Sequence, residues 1–237
     1  MARAVTGTHT YVLVPGAGGQ AWYWYRLVDE LSRRGNECVA VELPAGSEDA
    51  GMDEYADAVI AAIGQRQPLI VVAQSLGGFT GALVCSRVDA DLLVMLNAMI
   101  PRPGETAGEW WTATGQSEAR QAFARSEGRP IEFDVVEDFF HDVPPDVVAE
   151  AMSKGEPRQA DRPFSQPLGI DAWPPVRTRA IVGADDRLFP RLFQIRVCEE
   201  RLGFSPDVIP GGHLVALSQP VALADQLERY RTELTVA

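Results

Sequence analysis

Six short apolar runs, each followed by a longer stretch of helical period or by a turn, limit what this chain of 237 residues can fold into. Residues 11–14, 38–43, 69–73, 92–96, 179–182 and 206–209 read as strands. Residues 22–34, 52–66, 76–87, 190–202 and 220–234 read as helices. The runs are hydrophobic end to end rather than alternating apolar with polar, which suits strands covered on both faces. Strands of that kind separated by helices predict an α/β fold, a mostly parallel, doubly wound sheet of about six strands. The length is enough to bury a sizeable core.

One connection breaks the alternation. About eighty residues, 98–178, separate the fourth and fifth runs, whereas a parallel crossover needs roughly a dozen. That stretch holds ten of the seventeen prolines, three of the five tryptophans and five of the nine phenylalanines. So much aromatic surface has to be buried against something. We therefore expect residues 101–173 to form an insertion after the fourth strand that packs against the core, 1–100 and 174–237; the family resemblance given below implies that this insertion is a helical cap.

The chemistry is concentrated at strand ends. Val71-Val72-Ala73-Gln74-Ser75-Leu76-Gly77-Gly78 is an apolar strand that stops on a serine followed by small residues. A serine on a tight strand-to-helix turn has its hydroxyl held away from the backbone and open to a substrate. Such a hydroxyl needs a base to take its proton, and the base needs an acid to orient it. Of the three histidines, His9 precedes the first strand and His141 falls in the expected cap. His213 follows Gly211 and Gly212 directly after the last strand, the end at which open α/β sheets gather ligand chemistry. It is the expected base. After the fifth run, Gly183-Ala184-Asp185-Asp186 offers two acids; Gly183, Asp186 and Pro190 resemble the Gly-x-x-Asp with a proline four residues later that is common at this place in α/β-hydrolases, and that resemblance prefers Asp186 over Asp185. The end of the fourth run carries Asn97 and no carboxylate. The order is therefore Ser75, Asp186, His213.

A developing oxyanion needs two aimed N–H donors. The expected pair is the amides of Leu76 and of Ala17, the latter in the glycine-rich loop Pro15-Gly16-Ala17-Gly18-Gly19-Gln20. Gly16, Gln74, Trp110 and His141 are expected to touch substrate, with Trp111 as the alternative to its neighbour. No Gly-x-Gly-x-x-Gly or Gly-Lys-Ser/Thr pattern points to a nucleotide, and no Cys/His cluster has zinc spacing, so no metal or cofactor is expected.

These residues resemble the α/β-hydrolase superfamily, with Ala73 in place of the first glycine of its nucleophile elbow. Residues 11–24, Tyr-Val-Leu-Val-Pro-Gly-Ala-Gly-Gly-Gln-Ala-Trp-Tyr-Trp, are similar to the opening of its plant methylesterase and hydroxynitrile lyase branch, which typically reads LVHGAxHGAWxW. Residues 97–105 are similar to that branch's entry into the cap. Phe139-Phe140-His141-Asp142 and Trp173-Pro174 look like cap features of bacterial esterase relatives. The resemblance implies an α/β-hydrolase fold and a cofactor-free serine esterase for a small hydrophobic or aromatic ester. Two departures refine it. Pro15 replaces the histidine of the loop, and Gly16 and Leu214 stand where the lyases carry a threonine and a lysine. Without that lysine no cation follows His213 to stabilise departing cyanide. Other readings are a ligand-binding or sensing protein on a hydrolase scaffold, and a cofactor-free lyase or dioxygenase using His213 as base.

The formal net charge of −12 argues against nucleic acid or anionic membrane surfaces as partners. No apolar run approaches the ~20 residues of a membrane span. Cys38, Cys85 and Cys198 are odd in number and widely spaced, which fits buried free thiols in a reducing cytoplasm. The expected partner is a small-molecule ester, and a homodimer is a candidate assembly.

Overall fold

The computed structural model describes residues 9–236. In chain order its core elements are β1 (Thr10–Val14), α1 (Tyr25–Arg33), β2 (Glu37–Ala40), α2 (Met52–Ile63), β3 (Leu69–Gln74), α3 (Gly77–Cys85) and β4 (Leu92–Leu96). Five helices follow: α4 (Ala107–Thr114), α5 (Gln116–Ser126), α6 (Val135–Phe139), α7 (Pro145–Ser153) and α8 (Arg162–Ser165). The core resumes with β5 (Thr178–Gly183), α9 (Arg191–Leu202), β6 (Asp207–Ile209), α10 (Val215–Ser218) and α11 (Pro220–Val236).

All six strands pair in parallel in the order β2-β1-β3-β4-β5-β6. The central strands β1, β3 and β4 are buried at every residue, as their unbroken hydrophobicity requires. Successive side chains on a strand point to opposite faces, and the core divides accordingly. Val12, Val14, Val71, Ala73, Leu93 and Met95 pack with α2, α3 and α9 on one face. Tyr11, Leu13, Ile70, Val72, Leu92 and Val94 pack with α1, α10 and α11 on the other. The doubly wound parallel sheet expected from the sequence is the sheet observed.

Several strand ends shift from expectation, two of them for identifiable reasons. β2 stops at Ala40 rather than 43: Val41 N–H still donates to Leu13 O (3.1 Å), but Leu43 N–H donates to Gly19 O (2.8 Å) in the loop after β1. β6 begins at Asp207 because Pro206 has no N–H to donate to a ladder.

The helical segment between β4 and β5 is closed at its base. Leu168 N–H donates to Glu105 O (3.0 Å) and Gly104 N–H to Leu168 O (3.2 Å), so the two ends of the segment meet. Arg201 of α9 clamps Glu105 there, with Nη2 to Oε1 at 3.0 Å and both side chains nearly out of water. Further out, Gln116 Nε2 donates to Leu188 O (2.6 Å) and Arg187 Nη1 to Glu137 O (2.9 Å). The segment is thus pinned to the core on the side where the strands end.

Cys38, Cys85 and Cys198 are free, and burial pushes each thiol up to about 12, with Glu37 adding to the effect at Cys38 and Glu199 at Cys198. Only the thiolate is alkylated. Iodoacetamide at pH 8 should therefore modify the folded protein roughly a hundredfold or more slowly than the urea-unfolded chain, which should gain three labels by mass. Rapid labelling of the folded protein would show that these thiols are not buried. Among the described residues no helix is long and apolar enough to cross a membrane.

Candidate active site

β3 ends at Gln74, and the next residue, Ser75, adopts φ +52°. That left-handed conformation is unusual for a residue with a side chain. It is held by backbone bonds on both sides: Ser75 N–H donates to Leu96 O (3.3 Å), while Ser75 O accepts from Gly78 N (3.0 Å) and Met99 N (2.9 Å). The chain then enters α3, whose nine residues are all buried. Glycines make that entry possible. A Cβ on Gly77 would lie 2.5 Å from Pro15 O, and one on Gly78 would run into Met99 O. The serine side chain is thereby turned away from the sheet.

His213 follows β6 in a loop that turns at Gly211, where φ is +115°. Its imidazole is buried, with Nε2 3.1 Å from Ser75 Oγ and Nδ1 2.8 Å from Asp186 Oδ2. Phe189 and Phe139 flank the ring, with centroids 5.0 and 5.2 Å away. The loop backbone is also gripped. Asn97 Nδ2 donates to Gly212 O (3.0 Å) and His213 O (3.2 Å), and Gly212 N–H donates to Asp142 Oδ2 (2.7 Å).

Asp186, after β5, is fully buried and surrounded by donors. Oδ1 accepts from the amides of Leu188 (2.9 Å) and Phe189 (2.8 Å). Oδ2 accepts from Gln194 Nε2 (3.2 Å) and from the His213 ring. Four donors suit a carboxylate that only accepts. They also set the imidazole tautomer: Nδ1 carries the proton toward Asp186, which leaves Nε2 as an acceptor facing the serine hydroxyl. Asp185 does not reach the ring; it is exposed, and its Oδ2 accepts from Gly211 N–H (3.2 Å).

Ser75 opens into a cavity of about 330 Å³. Ala17 and Leu76 line it beside the serine, and among the described residues neither of their amides donates to a protein acceptor. Met99, Trp111, Phe133, Phe139, Phe164 and Leu188 make the wall largely apolar. The arrangement is competent to take a proton from Ser75 and to present two amides to an oxygen on a bound carbonyl.

The alpha/beta hydrolase family model matches residues 11–226. The chain belongs to that family. Among curated proteins, this alpha/beta hydrolase is 32% identical over 114 residues to the probable esterase PIR7A of Oryza sativa subsp. indica, a match covering 43% of each chain. It is 34% identical over 105 residues to the alpha-hydroxynitrile lyase of Arabidopsis thaliana, covering 39% of this chain and 41% of that protein. The matches thus span about two fifths of the length of these relatives. Among solved structures, a pyrethroid hydrolase from Sphingobium faniae JZ-2 superposes with a TM-score of 0.73 at 19% identity, over 95% of this chain and 98% of the other. That likeness establishes the same fold.

Four residues expected to touch substrate do not line the cavity at Ser75 in this alpha/beta hydrolase. Trp110 is fully buried in the core against Phe189 and Phe193, with its Nε1 donating to Ile100 O (3.0 Å). Consecutive helical residues point about 100° apart, so Trp111 faces the cavity instead. Gln74 is buried beneath the elbow, where its Nε2 reaches His213 O at 3.4 Å. Gly16 is buried too, and its place is a close-packing one: a Cβ there would come within 2.8 Å of Ser75 Cβ and 2.6 Å of Gln74 Oε1. His141 lies against Gly212 rather than in the cavity wall, with Nε2 4.0 Å from Asp142 Oδ1.

Sequence reasoning missed Asn97, Gln194 and Asp142. Asn97 had a readable signal, being an asparagine at a strand end; its φ is +42°, which asparagine tolerates better than most residues. Its Oδ1 accepts from Gly183 N–H (2.7 Å), so one side chain joins the ends of β4 and β5 to the His213 loop. Gln194 sits within a helix in a pattern that resembles any solvated helix face, and nothing in the sequence separates it from one.

Proposed function

We propose that the protein is a serine hydrolase of the carboxylesterase type, cleaving a small hydrophobic or aromatic ester. One observation carries the reading: the Ser75–His213–Asp186 hydrogen-bonded chain opens into an apolar cavity of about 330 Å³. That volume is at the small end of ligand sites. The curated relatives named as esterases support the same reaction class.

In this mechanism Ser75 Oγ attacks the ester carbonyl as His213 Nε2 takes its proton. Asp186 keeps the imidazole in the productive tautomer and stabilises the imidazolium that forms. The amides of Ala17 and Leu76 form the oxyanion hole and stabilise the negative oxygen of the tetrahedral intermediate. His213 then returns the proton to the departing alcohol. Water, deprotonated by the same nitrogen, attacks the acyl-serine and releases the acid. The helices between β4 and β5 act as the cap: Trp111, Phe133, Phe139 and Phe164 belong to that segment and supply much of the apolar wall. Excluding water there strengthens the electrostatic terms at Ser75.

A fluorophosphonate probe tests the assignment without knowledge of the natural substrate. The expected result is one covalent adduct, located on Ser75 by peptide mass spectrometry, and no adduct on the Ser75→Ala protein. An adduct elsewhere, or labelling that survives the substitution, would refute Ser75 as nucleophile.

A further inference from the structure

Among the described residues, the cavity wall holds one charged side chain, and the reaction above gives it no task. Arg120, on α5, lines the cavity with Gln116 and Ser117, the three sharing one helical face. Its side chain is 12% exposed. Nη2 donates to Ile131 O (2.6 Å). Nη1 lies 3.5 Å from Asp138 Oδ2 in an ion pair without hydrogen-bond alignment, and it is screened from water with no acceptor.

Asp138 is heavily committed. Its Oδ2 accepts from Asp134 N–H (3.0 Å), and its Oδ1 lies 3.4 Å from Arg129 Nη1. Two guanidinium groups therefore share this buried carboxylate, and Arg129 has a second partner in Glu127 Oε2 (2.7 Å). Nη1 faces Asp138 and is closed to the cavity, so the edge left for a ligand is Nε with the second hydrogen of Nη2, for which the described residues supply no acceptor. Arginine's planar fork is matched in shape and charge by a carboxylate. Gln116 does not compete for an anion, since its Nε2 is occupied by Leu188 O.

We propose that Arg120 makes this cavity a site for esters carrying a carboxylate. The half-ester of a short dicarboxylic acid is the simplest case, with its anionic end on the α5 wall and its ester carbonyl at Ser75. The inference rests on the serine-esterase reading for its reaction, but not for its binding step.

The test compares 4-nitrophenyl hydrogen glutarate with 4-nitrophenyl valerate, acyl groups of equal carbon count that differ in the terminal carboxylate. The wild-type protein should show the higher kcat/KM with the glutarate. In Arg120→Met the glutarate-to-valerate ratio should fall by about tenfold to a hundredfold, the usual scale for losing a hydrogen bond to a charged group. Arg120→Lys, which keeps the charge but not the fork, should give an intermediate ratio and serves if the methionine variant does not fold. A wild-type preference for valerate, or a ratio that the substitutions leave unchanged, overturns the inference. Binding is read separately by calorimetry with glutarate: it should occur in Ser75→Ala and weaken by a similar factor when Arg120→Met is added. Hydrolysis of both esters that survives Ser75→Ala would sink the esterase reading. Glutarate binding indifferent to Arg120 would sink only the subsite.

Discussion

Replacing Ser75 with alanine should lower kcat/KM toward 4-nitrophenyl butyrate by about 10⁴-fold or more, because the proposed attacking atom is gone while cavity and amides remain. The fold should not register the change. Alanine keeps the Cβ of the left-handed elbow, and the backbone bonds to Leu96, Gly78 and Met99 do not involve the hydroxyl. Only the 3.1 Å contact with His213 Nε2 disappears. The melting temperature should move by no more than ~2 °C, which separates lost chemistry from lost structure. A folded variant that retains a tenth of the activity would refute Ser75 as nucleophile.

Asp186→Asn should be nearly as damaging, for a different reason. The carboxylate meets donors at both oxygens: two backbone amides at Oδ1, and Gln194 with His213 at Oδ2. An asparagine brings its own NH₂ to one of those positions, so a donor faces donors in either orientation. If the NH₂ faces His213, the imidazole must switch tautomer. Nε2 then carries a proton toward Ser75 and cannot accept one. The expected loss in kcat is on the order of 10⁴-fold. KM should change little, because Asp186 is not part of the cavity wall. The mismatch inside the core should also destabilise the fold by about 1–3 kcal/mol in urea unfolding. A kcat within tenfold of wild type would exclude Asp186 as the residue that orients the base.

The strands and their order along the chain were legible because buried parallel strands leave an unmistakable trace, unbroken hydrophobicity in β1, β3 and β4. Ser75, Asp186 and His213 were legible because each stands where a strand stops, and the structure brings them within hydrogen-bond reach. The cavity wall was not. Trp110 and Trp111 are chemically identical neighbours, and only the packing of α4 decides which one enters the core. Gln74 and Gly16 were expected to touch substrate, yet the tight approach of the two loops buries both outside the cavity wall. His141 was expected to face the cavity; the pairing of Asp142 with Gly212 keeps it beside the histidine loop instead. Contacts of this kind depend on how separate elements meet, which local sequence does not encode.

The elbow's one irregular residue has a partner across the contact between strand and helix. Ala73 stands where a glycine is usual, and Gly81, the fifth residue of α3, sits directly against it: a Cβ on Gly81 would lie 2.6 Å from the Ala73 methyl. With Ala73 in place there is no room for a second methyl group on Gly81 between β3 and α3. The constraint at this turn is thus a joint volume rather than a required glycine. A pattern that inspects position 73 alone mistakes a relocated vacancy for a defect.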